Sequence, residues 1–216
     1  MKKNISASDN FSVALGLFDY VNPLFYAVTC LTVALHTWNV MPLWVYLCYV
    51  AGAVVSMIFG LTIPTVKLLV GLGKMRFKMP VNLVFYVNSG ILVSCLSLFG
   101  TLMRLRWWLF CLIAAGILGI LVFVYLKKHR FNTVAVLTGA LGYVLFYITM
   151  ITYAVRQHLT VPVVFYGLAV TLLVLLSGIG IKANLKDARV HWVIEACNVT
   201  CQGCVALGTL FAFGVL

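Results

Sequence analysis

Apolar residues run along this chain in seven blocks separated by short polar or basic stretches. The blocks cover approximately 21–38, 42–66, 81–103, 107–126, 132–155, 160–181 and 190–213. A helix needs roughly 20 apolar residues to cross about 30 Å of hydrocarbon, so each block predicts a span. The runs are continuous rather than alternating, which excludes the strands of a membrane β-barrel. The expected fold class is all-α: a polytopic membrane protein with seven transmembrane helices in one bundle over 21–216. A cytoplasmic segment, 1–20, precedes it. In that segment Phe11, Ala14, Leu15 and Phe18 share one helical face, predicting an amphipathic helix over 9–20 on the inner leaflet. Asp9 and Asp19 interrupt what would otherwise resemble a signal peptide. Asn22-Pro23 reads as the cap and first residue of span 1, and Pro64 is expected to kink or end span 2.

Composition narrows the class further. Of 216 residues, 64% are hydrophobic and 9% charged, against roughly 25% charged in a soluble domain. A soluble enzyme, a disordered chain and a nucleic-acid-binding domain are thereby excluded. The net charge of +11 resembles a polyanion-binding signal until it is read by position. Twelve of the fifteen basic residues fall on one side of the seven-span path: Lys2, Lys3, Lys67, Lys74, Arg76, Lys78, Lys127, Lys128, Arg130, Lys182, Lys186 and Arg189. Arg104, Arg106 and Arg156 fall on the other. The split predicts a cytoplasmic N-terminus and an outside C-terminus, in a plasma or inner membrane. The basic loops would also suit anionic lipid head groups. Trp38, Trp44, Trp107, Trp108 and Trp192 all fall at block edges, where the indole has an apolar body and a wet N–H.

Small residues four apart let helix backbones approach closely. Span 2 carries Gly52, Ser56 and Gly60; shorter pairs are Ala115 with Gly119, Ala135 with Gly139 and Gly208 with Ala212. The expected use is packing within the bundle, with a homo-oligomer or partner-subunit face as the alternative.

Polar groups inside spans are costly and mark functional candidates. Of the four acids, Glu195 alone lies within a block. At 100° per residue, His191, Glu195, Asn198 and Gln202 fall within about 60° of one another on span 7. The stripe is expected to line a site open to the cytoplasm. Glu195 would take a cation, a proton or the amine of a solute; His191 would tune or relay the proton; Asn198 and Gln202 would hydrogen-bond the solute. The competing reading is interhelical glue. Span 3 offers Asn82 and Tyr86 at i, i+4 as a matching face. Asn22 and Asn132 read as helix caps, and the threonines of span 5 as back-bonding to their own helix.

Cys197, Cys201 and Cys204 form a separate stripe whose spacing matches no metal or haem motif, so packing is expected, with no metal and no cofactor. No nucleophile elbow, zinc-binding helix motif or phosphate loop is present. Three functions follow. The first is a transporter or channel for a small solute or ion, built around Glu195. The second is a membrane-embedded enzyme acting on a lipid or isoprenoid, with His191 and Glu195 as acid and base. The third is a non-catalytic subunit of a larger complex.

Overall fold

The computed structural model describes residues 12–74, 81–182 and 188–216, and these are almost entirely helical. The helices are α1 (Val13–Asp19), α2 (Val21–Thr37), α3 (Leu43–Gly71), α4 (Val81–Leu102), α5 (Trp107–Lys128), α6 (Phe131–Arg156), α7 (Thr160–Lys182) and α8 (Ala188–Ala212). Among the described residues, six segments are long and apolar enough to cross a membrane, as in a multi-pass membrane protein: Val13–Thr37, Leu43–Gly71, Asn82–Leu102, Trp107–Lys128, Phe131–Arg156 and Arg189–Ala212. Within α7, the stretch Thr160–Leu176 is apolar but shorter. Lys2, Lys3, Asp9, Phe11, Arg76, Lys78, Lys186 and Asp187 lie outside the described residues.

α4 sits centrally, packed on α3 and α6, while α8 packs on α7 and α2. Small side chains set the α3–α4 contact. A Cβ on Gly52 would lie 2.6 Å from the Gly90 carbonyl oxygen, and one on Gly90 would lie 2.5 Å from that of Gly52. Ser56 Oγ donates to the Val87 carbonyl at 2.8 Å, and Ser94 Oγ to that of Tyr49 at 3.1 Å. The span 2 stripe is therefore used inside the bundle through Gly52 and Ser56, whereas Gly60 meets open space. On the α4–α6 side, Asn88 Nδ2 donates to the Ala135 carbonyl at 2.8 Å, next to Gly139. Tyr166 and Thr209 join their hydroxyls at 3.1 Å between α7 and α8. Thr138 and Thr149 back-bond to Val134 and Leu145, as expected for helical threonines. α5 has no buried residue, and Gly119 on it faces open space.

The close α3–α4 approach gives a direct test. Gly90→Val should lower stability by about 1–3 kcal/mol, the usual cost of overpacking. Gly119→Val should stay within about 0.5 kcal/mol, as at an open surface position. Thermal unfolding in detergent separates the two, and equal effects would contradict the packing.

The N-terminal region departs from the sequence expectation. α1 is a short helix capped by Ser12, whose Oγ accepts from the Leu15 N–H at 3.1 Å. It docks rather than lying apart: Leu15 is buried, and a Cβ on Gly16 would lie 2.8 Å from Leu68 Cα. Only glycine permits that approach. Tyr20 stays in the right-handed helical region, so the chain turns almost directly into α2, and Asn22 caps nothing. α3 also differs. It continues through Pro64 to Gly71, which places Lys67 within the helix instead of in a loop.

Candidate functional site

Three helices bring charges together that lie far apart in sequence. Asp19 ends α1, Lys67 lies in the last turns of α3, and Glu195 lies in the second turn of α8. All three are buried, at 5%, 8% and 7% exposure. Lys67 Nζ pairs with Asp19 Oδ2 at 2.7 Å and also with Glu195 Oε1. Desolvating one ion costs several kcal/mol in a protein interior, so no one of these groups would be buried alone. Asn22 ties the acids together, donating from Nδ2 to Asp19 Oδ1 at 2.9 Å and, more weakly, to Glu195 Oε2 at 3.4 Å. Asn198 Nδ2 approaches the same Glu195 oxygen at 3.5 Å.

This cluster forms part of the wall of a cavity of about 270 Å³ between α2, α3, α4, α6 and α8. Asn198 and Gln202 continue the wall along α8; Ser56, Gly60, Ile63 and Pro64 form it on α3; Val87, Ile91 and Tyr143 form it opposite. Glu195 and Gln202 are seven residues apart, about 10 Å along a helix. Two buried oxygens in the wall, Asn22 Oδ1 and Tyr26 Oη, have no hydrogen-bond partner among the described residues. Buried polar atoms are nearly always paired. Pro64 has no N–H to give the Gly60 carbonyl, so the helix lacks one of its ladder bonds at this wall.

Glu195, Asn198 and Gln202 thus share one cavity, with the phase the α8 stripe implies. His191 is half-buried one turn earlier and is not among the lining residues. Asn82 and Tyr86 are exposed, and Tyr86 stacks on Phe59 at 4.9 Å. The expected match between spans 3 and 7 does not form, because α4 turns its packing faces to α3 and α6. Val87 and Ile91 reach the cavity instead.

Sequence spacing alone points three site members elsewhere: Asp19 lies outside the spans, Asn22 reads as a cap and Lys67 reads as a loop charge. One signal was available for Lys67, since it lies only three residues past Pro64 and directly abuts an apolar block.

The remaining features are separate. Cys201 donates to the Ala169 carbonyl at 3.4 Å and lies 3.6 Å from Tyr147 Oη, a packing role. No group of three or more metal-ligating side chains occurs among the described residues. A second cleft, about 370 Å³, lies at the other end of α3 and contains Trp44, Trp107, Phe110 and Arg104 but none of the candidate residues. Comparison with protein-family models, curated proteins and solved structures finds no match for the chain.

Proposed function

We propose that this protein is a seven-span membrane transporter or channel for a small cationic solute or ion. Its N-terminus is cytoplasmic, its C-terminus lies outside, and its binding site opens to the cytoplasm. The orientation rests on the twelve basic residues that share one side of the seven-span path. α7 completes the seven as the sixth span in chain order; its helix runs from Thr160 to Lys182, 23 residues, long enough to cross.

One observation carries the function. Among the described residues, the charged groups lining the cavity are Asp19, Lys67 and Glu195, two carboxylates for one ammonium and a formal balance of −1. An excess negative charge in a low-dielectric region is costly until a cation or proton joins it. The unpartnered Asn22 Oδ1 adds an acceptor on the same surface. A cation entering here gains a counter-charge and a hydrogen-bond partner together. The enzyme reading has less support, since His191 does not line the cavity that holds Glu195.

Purified protein in proteoliposomes tests the reading. Uptake of cationic solutes should depend on pH or on a cation gradient, and Glu195→Gln should remove it. Uptake that survives the substitution would overturn the assignment of the site.

A further inference from the structure

We infer that the second cleft binds an anionic phospholipid, with Arg104 on its phosphate and the aromatic walls against the start of its acyl chains. Depth argues first. Trp44 lies in the first turn of α3 and Lys67 in its last turns, about 34 Å away along the helix. That distance matches the hydrocarbon core of a bilayer, about 30 Å thick. The cleft therefore lies at head-group depth on the membrane face opposite the charge cluster, and none of the solute-site residues lines it.

The walls argue next. Trp44, Trp107 and Phe110 line the cleft, and Phe110 meets Trp44 edge to face at 5.7 Å. Gly100 makes room for that ring, since a Cβ there would lie 2.5 Å from Phe110 Cδ2. Indoles settle where hydrocarbon meets water. Away from the cleft, α5 packs chiefly on α6 and buries no residue. Leu47 and Val54 share a side of α3 with Trp44, Leu118 shares one of α5 with Trp107, and all five are exposed. Apolar surface thus continues along both helices towards the membrane interior, where acyl chains run.

Charge selects the head group. Among the described residues, Arg104 is the one charged group lining the cleft. Lys67 makes both ion pairs among the described residues, so no described acid neutralises Arg104 or nearby Arg106. The backbone at Arg104 is also unusual. α4 stops in a Schellman turn: the Arg104 N–H donates to the Thr101 carbonyl at 3.0 Å, and the Leu105 N–H to that of Gly100 at 2.9 Å. Glycine is the usual residue at this left-handed position, yet here an arginine holds it at φ 53°, where a Cβ is strained. The turn carries a guanidinium into the cleft at that cost. A guanidinium fork matches two oxygens of a phosphate. With two arginines and no described acid close by, a net-anionic head group is attracted, whereas the ammonium of a zwitterionic one finds no carboxylate.

Tryptophan fluorescence of the full-length protein in neutral detergent reads the cleft through Trp44 and Trp107. The probes are dioleoyl phosphatidylglycerol, dioleoyl phosphatidylcholine and inorganic phosphate. Phosphatidylglycerol should bind about tenfold tighter than phosphatidylcholine, the worth of one hydrogen bond to a charged group. Arg104→Gly should reduce it to the phosphatidylcholine level, while the lipid-free Tm holds or rises because glycine suits the turn. Lys127→Gln with Lys128→Gln, at the far end of α5, should leave the preference intact. Equal binding of the two lipids overturns the inference. So does a preference that survives Arg104→Gly, or one lost with Lys127 and Lys128 instead. Displacement of the lipid by excess inorganic phosphate would assign the cleft to a free anion and likewise overturn it. Should Arg104→Gly lower the Tm, Arg104→Gln keeps a side chain in the turn without the charge, and retention of the preference there is the overturning result.

Discussion

Lys67→Met should be the most destabilising single substitution in this protein, costing about 3–5 kcal/mol, as removal of one partner from a buried ion pair does. The side chains of Asp19 and Glu195 both contact the Lys67 ammonium, and all three residues are buried. Methionine matches the length of the lysine stem but leaves two carboxylates facing each other without a counter-charge. Asn22 can donate to both acids, yet it carries no charge to offset them. For a chain of this size the cost corresponds to a fall in Tm of about 10 °C, measurable by thermal unfolding in micelles. The triple variant Lys67→Met, Asp19→Asn, Glu195→Gln should recover most of the loss, because replacing a whole buried ionic group is far cheaper than breaking it. A Tm within about 2 °C of the parent for Lys67→Met alone would show that the cluster is solvated and not structural.

Glu195→Gln should separate function from folding. Lys67 keeps Asp19 at 2.7 Å, so the ammonium stays paired. A glutamine in this place retains an oxygen that accepts from Asn22 and Asn198, the two amides that now approach Glu195 Oε2. Stability should change by no more than about 1–2 kcal/mol, since a partnered neutral group replaces a partnered ion. The formal charge of the cavity wall, however, goes from −1 to zero. Loss of a charged partner for a cation is worth about 1.5–3 kcal/mol, so uptake at subsaturating solute should fall at least about tenfold. Asp19→Asn changes the formal charge equally, but Asp19 sits on α1, which docks on α3, α8 and α2. If excess charge alone drives binding, the two variants lose uptake alike. If the position of the carboxylate matters, Glu195→Gln loses more, because Glu195 shares its helix face with Asn198 and Gln202. A folded Glu195→Gln protein with full uptake is the result that sinks the proposal.

Individual residues mark how far the sequence reaches. The helices were readable because apolar run length and bilayer thickness are tied by geometry, and each of the seven blocks overlaps one helix, α2 through α8, although α3 outruns its block to Gly71. The α8 stripe was readable because residues 195, 198 and 202 share a face in any helix, whatever surrounds it. Periodicity does not reveal which neighbour a face meets. Asn82 and Tyr86 stand in helical register just as Glu195 and Asn198 do, yet they point away from the cavity because α4 packs on α3 and α6.

Lys67 is the clearest case of a residue decided by tertiary structure. At the edge of an apolar block, a lysine in a loop and a lysine in the last turns of a helix look the same. Gly16 lies against the backbone of Leu68, and this contact between α1 and α3 brings Asp19 to the lysine. Glu195 is 128 residues further along the chain. The sequence alone therefore determined an all-α membrane protein and one polar helix face, because both follow from local spacing. The tertiary structure alone decided that Asp19, Asn22, Lys67 and Glu195 form a single site, because charges are buried only where distant segments meet to neutralise one another.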